Sequence, residues 1–258
     1  ADQFAGMTSA RLSVDMGDLG LIAFDQGSGS GLSTIDDKTP TAAEEIWDGL
    51  DGAGASAKSV GGLVGEAGSS GVWNYVQTYS GVKINAAARK GSGTNQSDGS
   101  TSAAGGSAWD FALTTDGEML GVDGLAIGAG YGESDLNQAA ATGGDDTSMT
   151  AFANYSFGPA TFGVQMSKIN NGGLSSTDEE AQAWGLAFNV NENLSLSYGE
   201  RDVEYQGKAS VTEKGEGFAA AYTMGSIKIA GNRNEVSDNG GTALSSDSMT
   251  EIAVSFAF

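Results

Sequence analysis

Apolar side chains recur at every second position through most of this chain, in short runs separated by turns. A period of two places successive side chains on opposite faces of an extended strand, so these runs read as β-strands with one apolar face. The runs come in pairs. Residues 9–16 and 19–25 flank Gly17-Asp18, 72–80 and 82–90 flank Gly81, and 107–115 and 124–132 flank a longer turn from Asp116 to Gly121. Residues 147–157 and 160–168 flank Gly158-Pro159, 181–190 and 194–203 flank Asn191-Glu192-Asn193, and 214–224 and 226–233 flank Gly225-Ser226. These are hairpin turn residues. A last strand runs over 248–258, giving about thirteen in all.

The remaining connections are long and rich in Gly, Ser, Thr, Asn and Asp: 27–71, 91–106, 133–146, 169–180, 204–213 and 234–247. Short turns at one end and long loops at the other predict an all-β, antiparallel up-and-down transmembrane β-barrel, as one domain over 1–258. No run approaches the ~18 apolar residues of a membrane helix. Barrel strands need only about ten alternating residues each.

The two faces support that reading. One carries Trp109, Phe111, Leu113, Tyr155, Phe162, Trp184, Phe188, Tyr198, Phe218 and Tyr222. The other carries Gly, Ala, Ser and Thr with Asp110, Asn154, Gln165, Asn189, Ser197, Arg201 and Lys228. Most charges fall in the long loops. A soluble sheet of this size exposes more charge on its polar face, whereas small uncharged residues suit the inside wall of a barrel. A sheet in hydrocarbon must also close, because its edges cannot otherwise be satisfied.

Composition removes several function classes. The chain has 258 residues with no Cys and no His, so thiolate or imidazole metal sites, disulfides and Ser-His chemistry are excluded. An enzyme is not expected. A net charge of −21 argues against a nucleic-acid partner.

The chain ends Ile252-Ala253-Val254-Ser255-Phe256-Ala257-Phe258. With Ile252, Val254, Phe256 and Phe258 on one face, this resembles the C-terminal assembly signal of bacterial outer-membrane barrels. The pairs around Met16-Gly17-Asp18-Leu19-Gly20-Leu21, Tyr79-Ser80-Gly81-Val82-Lys83 and Ala153-Asn154-Tyr155-Ser156-Phe157-Gly158-Pro159-Ala160 appear in an order that resembles the general porins, especially those of α-proteobacteria. The resemblance implies a Gram-negative outer membrane, lipid and lipopolysaccharide around the barrel, a sixteen-stranded family type and a homotrimer. It also implies that the long segment 27–71 is a third loop folded into the pore. Residues 9–16 and 19–25 then resemble the fourth and fifth strands, and the first three are expected to be missing upstream.

Segment 27–71 holds seven acids against two bases. Asp36, Asp37, Glu44, Glu45, Asp48 and Asp51 are the expected acidic constriction. Thr41-Ala42-Ala43-Glu44 after Pro40 has capping-box spacing and predicts a short helix over 41–48. By strand parity Arg11, Lys83, Arg89 and Arg201 face the lumen and form the expected basic wall. The implied function is passive diffusion of ions and small hydrophilic solutes, weakly cation-selective. No cofactor is expected beyond Ca²⁺ held by loop acids such as Asp145-Asp146 and Asp178-Glu179-Glu180. The rivals are a soluble secreted acidic β-protein of adhesin or β-solenoid type, and a substrate-specific channel on the same barrel.

Overall fold

The computed structural model describes residues 10–26, 31–50, 67, 70–91, 107–135, 145–172, 178–207 and 211–257. They build thirteen antiparallel strands in one sheet, each hydrogen-bonded to its neighbours in sequence. These are β1 (Ala10–Asp15), β2 (Leu21–Gln26), β3 (Ser70–Tyr79), β4 (Val82–Arg89), β5 (Ala108–Asp116), β6 (Leu125–Ser134) and β7 (Asp146–Phe157). Then follow β8 (Ala160–Asn170), β9 (Glu179–Asn189), β10 (Leu194–Tyr205), β11 (Glu213–Met224), β12 (Ile227–Ser237) and β13 (Ser246–Phe256). Among the described residues, β1 and β13 are not paired with each other.

Local chemistry accounts for the short turns. Ser80 and Gly81 both have positive φ, 49° and 82°. That is the type I′ geometry whose twist matches a right-handed hairpin, and it sets the pair Tyr79↔Val82 beside it.

Among the described residues, the sheet has no conventional core. Its apolar face points outward: Trp73 is 57% exposed, Phe218 51% and Phe256 57%. Its inward face is buried where chain covers it, with Asp110 at 1% and Arg201 at 7%. The soluble reading required the reverse. On β13, Ile252, Val254 and Phe256 lie on the outward face; Phe258 is outside the described residues.

Two expectations change. Residues 41–48 form bends and a turn instead of a helix. Thr41 Oγ1 does accept from Ala43 N at 3.2 Å, but it donates to Glu44 O at 2.7 Å. Asp48 N bonds Glu45 O at 3.0 Å, a turn pairing, where a helix would take Glu44 O, and that carbonyl accepts from Thr41 instead. The outward face is also not apolar throughout. Toward the long-loop ends of β10–β12 it carries Glu200, Asp202, Glu204, Lys214, Glu216, Arg233 and Glu235, all exposed. They lie beyond the level of Tyr198 and Phe218, where strands leave an apolar band through its aromatic rim. The single Tyr198 hydroxyl is shared between the carboxylates of Glu200 and Glu216, each 2.9 Å away.

Candidate functional site

Residues 31–50 cross the inward face of the sheet as a strap, from β5 to β13. The strap starts at Asp110 on β5. Leu32 N donates to Asp110 Oδ1 at 2.8 Å, and Ala67 N donates to Oδ2 at 2.7 Å. One buried carboxylate therefore clasps both arms of the long connection. Gly31 sits so close that a Cβ there would lie 1.8 Å from Asp110 Oδ1, and its φ is +60°. Only glycine meets both demands. Leu32 and Ile35 then pack with Ala112, Phe152 and Ile169 in a small apolar cluster.

Past the cluster, the strap follows one hydrogen-bonding row of the sheet. In register, Asn154 of β7 faces Gly163 of β8, which faces Gly185 of β9, Gly199 of β10, Gly217 of β11, Asn234 of β12 and Met249 of β13. Four successive strands thus present no side chain, and an amide closes each end of the gap. Pro40 lies over Gly163 and Gly185, Ile46 over Gly199 and Gly217, and Gly49 against Met249. Asn154 Nδ2 donates to Lys38 O at 2.7 Å, and Asn234 Nδ2 donates to Glu45 O and Asp48 O at 2.9 Å each. Gln165 accepts from Lys38 N at 2.7 Å and donates to Ile35 O at 2.8 Å and Asp36 O at 3.0 Å. Ala42 N donates to Ser197 Oγ at 2.8 Å. Buried backbone groups need partners, and here wall side chains supply them to the strap.

The strap's backbone is committed to the wall, and its carboxyls are not. Asp36, Asp37, Glu45 and Asp48 are half-buried and Glu44 is exposed; Asp51 lies outside the described residues. Asp36, Asp37 and Glu45 form a hydrogen-bonded trio. Burial, then the adjacent Asp37 charge, pushes Asp36 up to about 7. Burial and the hydrogen bond with Asp37 push Glu45 up to about 7. Burial acts to raise Asp37 too, but the bonds from Glu45 and Asp36, with Lys38 beside it, hold it below the usual carboxylate range. Lys38 Nζ is 3.5 Å from Asp37 Oδ1. At neutral pH the trio therefore keeps one firm negative charge on Asp37 and two half-titrated neighbours.

The expected bases face inward but do not converge. Arg11 Nη1 donates to the fully buried Asp25 Oδ2 at 3.1 Å, across the β1–β2 pair. Lys83 and Arg89 sit at opposite ends of β4, Lys83 exposed and Arg89 half-buried. Arg201 is buried beneath the strap, its guanidinium carbon 4.9 Å from the centre of the Trp47 ring.

The expected calcium pairs are split. Asp146 accepts from Gly172 N at 2.8 Å and Asp178 from Asn171 N at 2.9 Å. Glu180 pairs with Lys168, and Glu179 turns inward. Asp145 instead shares a cluster with Glu133 and Asp135, ligand atoms within 4.8 Å of one another. With one oxygen from each, these carboxylates would supply three of the roughly six to eight oxygens calcium takes.

Sequence reading missed the strap's holders: Asp110 as a clasp, the amides of Asn154, Gln165 and Asn234, and the glycine row. The available signal was four inward-parity glycines on consecutive strands. Replacing Asp110 with alanine leaves two amides without their charged acceptor, a loss of about 1.5–3 kcal/mol each. We expect faster proteolysis within 31–67, with the heat-modifiable gel shift of the barrel retained. Asn at 110 keeps one acceptor and should fall between.

The chain matches the Gram-negative porin family over residues 13–241, most of its length. It belongs to that family. This Gram-negative porin is accordingly an outer-membrane β-barrel channel. Solved structures agree on the fold. An anion-selective porin of Comamonas acidovorans superposes with a TM-score of 0.61 at 13% identity, over 94% of this chain and 75% of that one. Outer-membrane OmpT of Vibrio cholerae gives 0.60 at 13%, over 96% and 80%. Salmonella typhi OmpF, solved with daunomycin, gives 0.59 at 11%, over 93% and 74%. No curated protein sequence matches the chain.

Proposed function

We propose that this porin is a passive pore for ions and small hydrophilic solutes, weakly cation-selective, with the strap as its filter. One observation supports the reading: wall side chains bond the strap's backbone, and none of those bonds engages the carboxyls of Asp36, Asp37, Glu44, Glu45 and Asp48, which we assign to the pore. Asp51 continues the acidic run outside the described residues. Arg11, Lys83 and Arg89 supply inward positive charge on β1 and β4. Acids on one side and bases on the other produce a transverse field that orders water. A polar solute replaces that water's interactions and passes, while an apolar one does not. Net charge at the narrowest ring then sets ion preference. The barrel acts as one domain without a chemical step. A homotrimer fits this reading, since a Vibrio cholerae OmpT structure is of a trimer form. Lipid and lipopolysaccharide surround the outward face. Calcium at Glu133, Asp135 and Asp145 would need further oxygens from solvent or lipopolysaccharide.

The test is a planar-bilayer recording of detergent-purified protein. In a KCl gradient the reversal potential should show cation preference. Anion preference, the property of the Comamonas acidovorans protein, overturns the proposal. Neutralising Asp36, Asp37, Glu44, Glu45, Asp48 and Asp51 together should remove most of the preference, and an unchanged potential would take the filter role away from the strap. Saturation by one sugar or anion would favour a substrate-specific channel.

A further inference from the structure

Arg201 is the one expected wall base that the strap covers. It projects inward from the long-loop half of β10 and is 7% exposed. Trp47 lies across its guanidinium, 4.9 Å from carbon to ring centre. Its acidic neighbours are Glu213 of β11 and Glu179 of β9, exposed 4% and 8%. Glu213 is itself held, accepting from Tyr205 Oη at 2.8 Å and Gly240 N at 2.7 Å. Beside the guanidinium is a cavity of about 30 Å³ lined by Asp36, Trp47, Glu179 and Arg201, room for a single water. The indole supplies the apolar cover over the guanidinium.

We propose that Trp47 screens Arg201 from the lumen and so helps set the channel's ion preference. This rests on the channel reading above. A full positive charge open to the lumen here would offset one of the strap's acids. Under an aromatic face, with two carboxylates beside it, its field closes locally. The π face favours the cation electrostatically, and its area excludes the water that would otherwise carry the charge into contact with permeating ions. The strap then contributes acids to the lumen without the base that strand parity alone assigns there. Trp47 is thus a specificity-determining residue without touching the acidic trio's hydrogen bonds.

The experiment compares wild type, Trp47→Phe, Trp47→Ala and Trp47→Ala/Arg201→Gln in planar bilayers with a KCl gradient. The wild-type trace tests the channel reading by itself, because absent conductance or anion preference there fails that reading before any variant is read. Given a cation-preferring wild type, Trp47→Ala should lower the cation-to-anion permeability ratio about twofold, as one unit charge ~8 Å from the ion path does in water. Trp47→Phe keeps an aromatic face and should give a smaller fall. In the double variant the exposed base is gone, and the ratio should return to the wild-type value or above. Displacement of the strap would also lower the ratio, but it would leave the double variant as low as Trp47→Ala. That result, or an unchanged ratio in Trp47→Ala, overturns the proposal.

Discussion

Leucine at both Gly163 and Gly185 expels the strap from the wall, raising single-channel conductance and erasing most of the ion preference. A Cβ at Gly163 would meet Asn154 Oδ1 at 2.1 Å and Pro40 Cδ at 2.4 Å. A Cβ at Gly185 would meet Pro40 O at 2.8 Å. Overpacking costs about 1–3 kcal/mol per site, so two sites cost about 2–6. Against this stand five hydrogen bonds from the wall to the strap between Lys38 and Asp48, about 1 kcal/mol net each. Ordering the strap's backbone already consumes about 1–2 kcal/mol per residue. The margin that keeps it seated is therefore of the same size as the added strain, and the strap yields before the strand ladder does. Gly215→Leu is the control. Its Cβ would have no neighbour nearer than 3.7 Å, so the strap should stay and both readings should match wild type. If the double variant conducts with wild-type step size and preference, the glycine row does not seat the strap.

The division between what was legible in the sequence and what was not follows the range of the interactions. Strand positions and parity depend on neighbours two residues apart, and the thirteen strands fall within a few residues of the periodic runs. Asp110, Asn154, Gln165, Ser197 and Arg201 have the inward parity that alternation assigns. Their roles were hidden because each acts on chain far away: Asp110 on Leu32, 78 positions off, and Asn234 on Glu45, 189 off. The glycine row needed pairing register, which one sequence does not supply. Thr41-Ala42-Ala43-Glu44 shows local preference losing to tertiary partners. Ala42 N found Ser197, Glu45 O and Asp48 O found Asn234, and Glu44 O took the Thr41 hydroxyl in place of the Asp48 amide a helix would bring to it. Arg201 was placed on the correct face, but no periodic signal announces that Trp47 lies over it.

Ion preference should titrate near pH 7, far above the ordinary carboxylate range. Docked Asp36 and Glu45 both sit at about 7, raised chiefly by burial and then by Asp37. Free carboxylates titrate near 4. Between about pH 4 and 7 the docked strap holds protons that a free strap would release. Protonation therefore favours docking fully below about pH 4, and that advantage is lost as pH rises through 7. Charge moves the same way, since the strap gains two further negative charges as pH rises through 7. The surroundings do not cancel them. Lys38 is engaged by Asp37, Glu44 is another acid, and beside Asp36 the wall offers Gln165 from β8, Glu179 from β9 and the screened Arg201 from β10. With no histidine in the chain, no other side chain ordinarily titrates in this range. Reversal potentials at pH 5, 7 and 9, taken at ~0.1 M salt where the Debye length is about 10 Å, should show cation preference rising with a midpoint near 7. Asp37→Asn removes the charge that helps raise both neighbours, so the midpoint should fall toward the ordinary carboxylate range. A preference that is flat from pH 5 to 9, or a midpoint that ignores Asp37→Asn, would mean that the trio does not face the permeating ions.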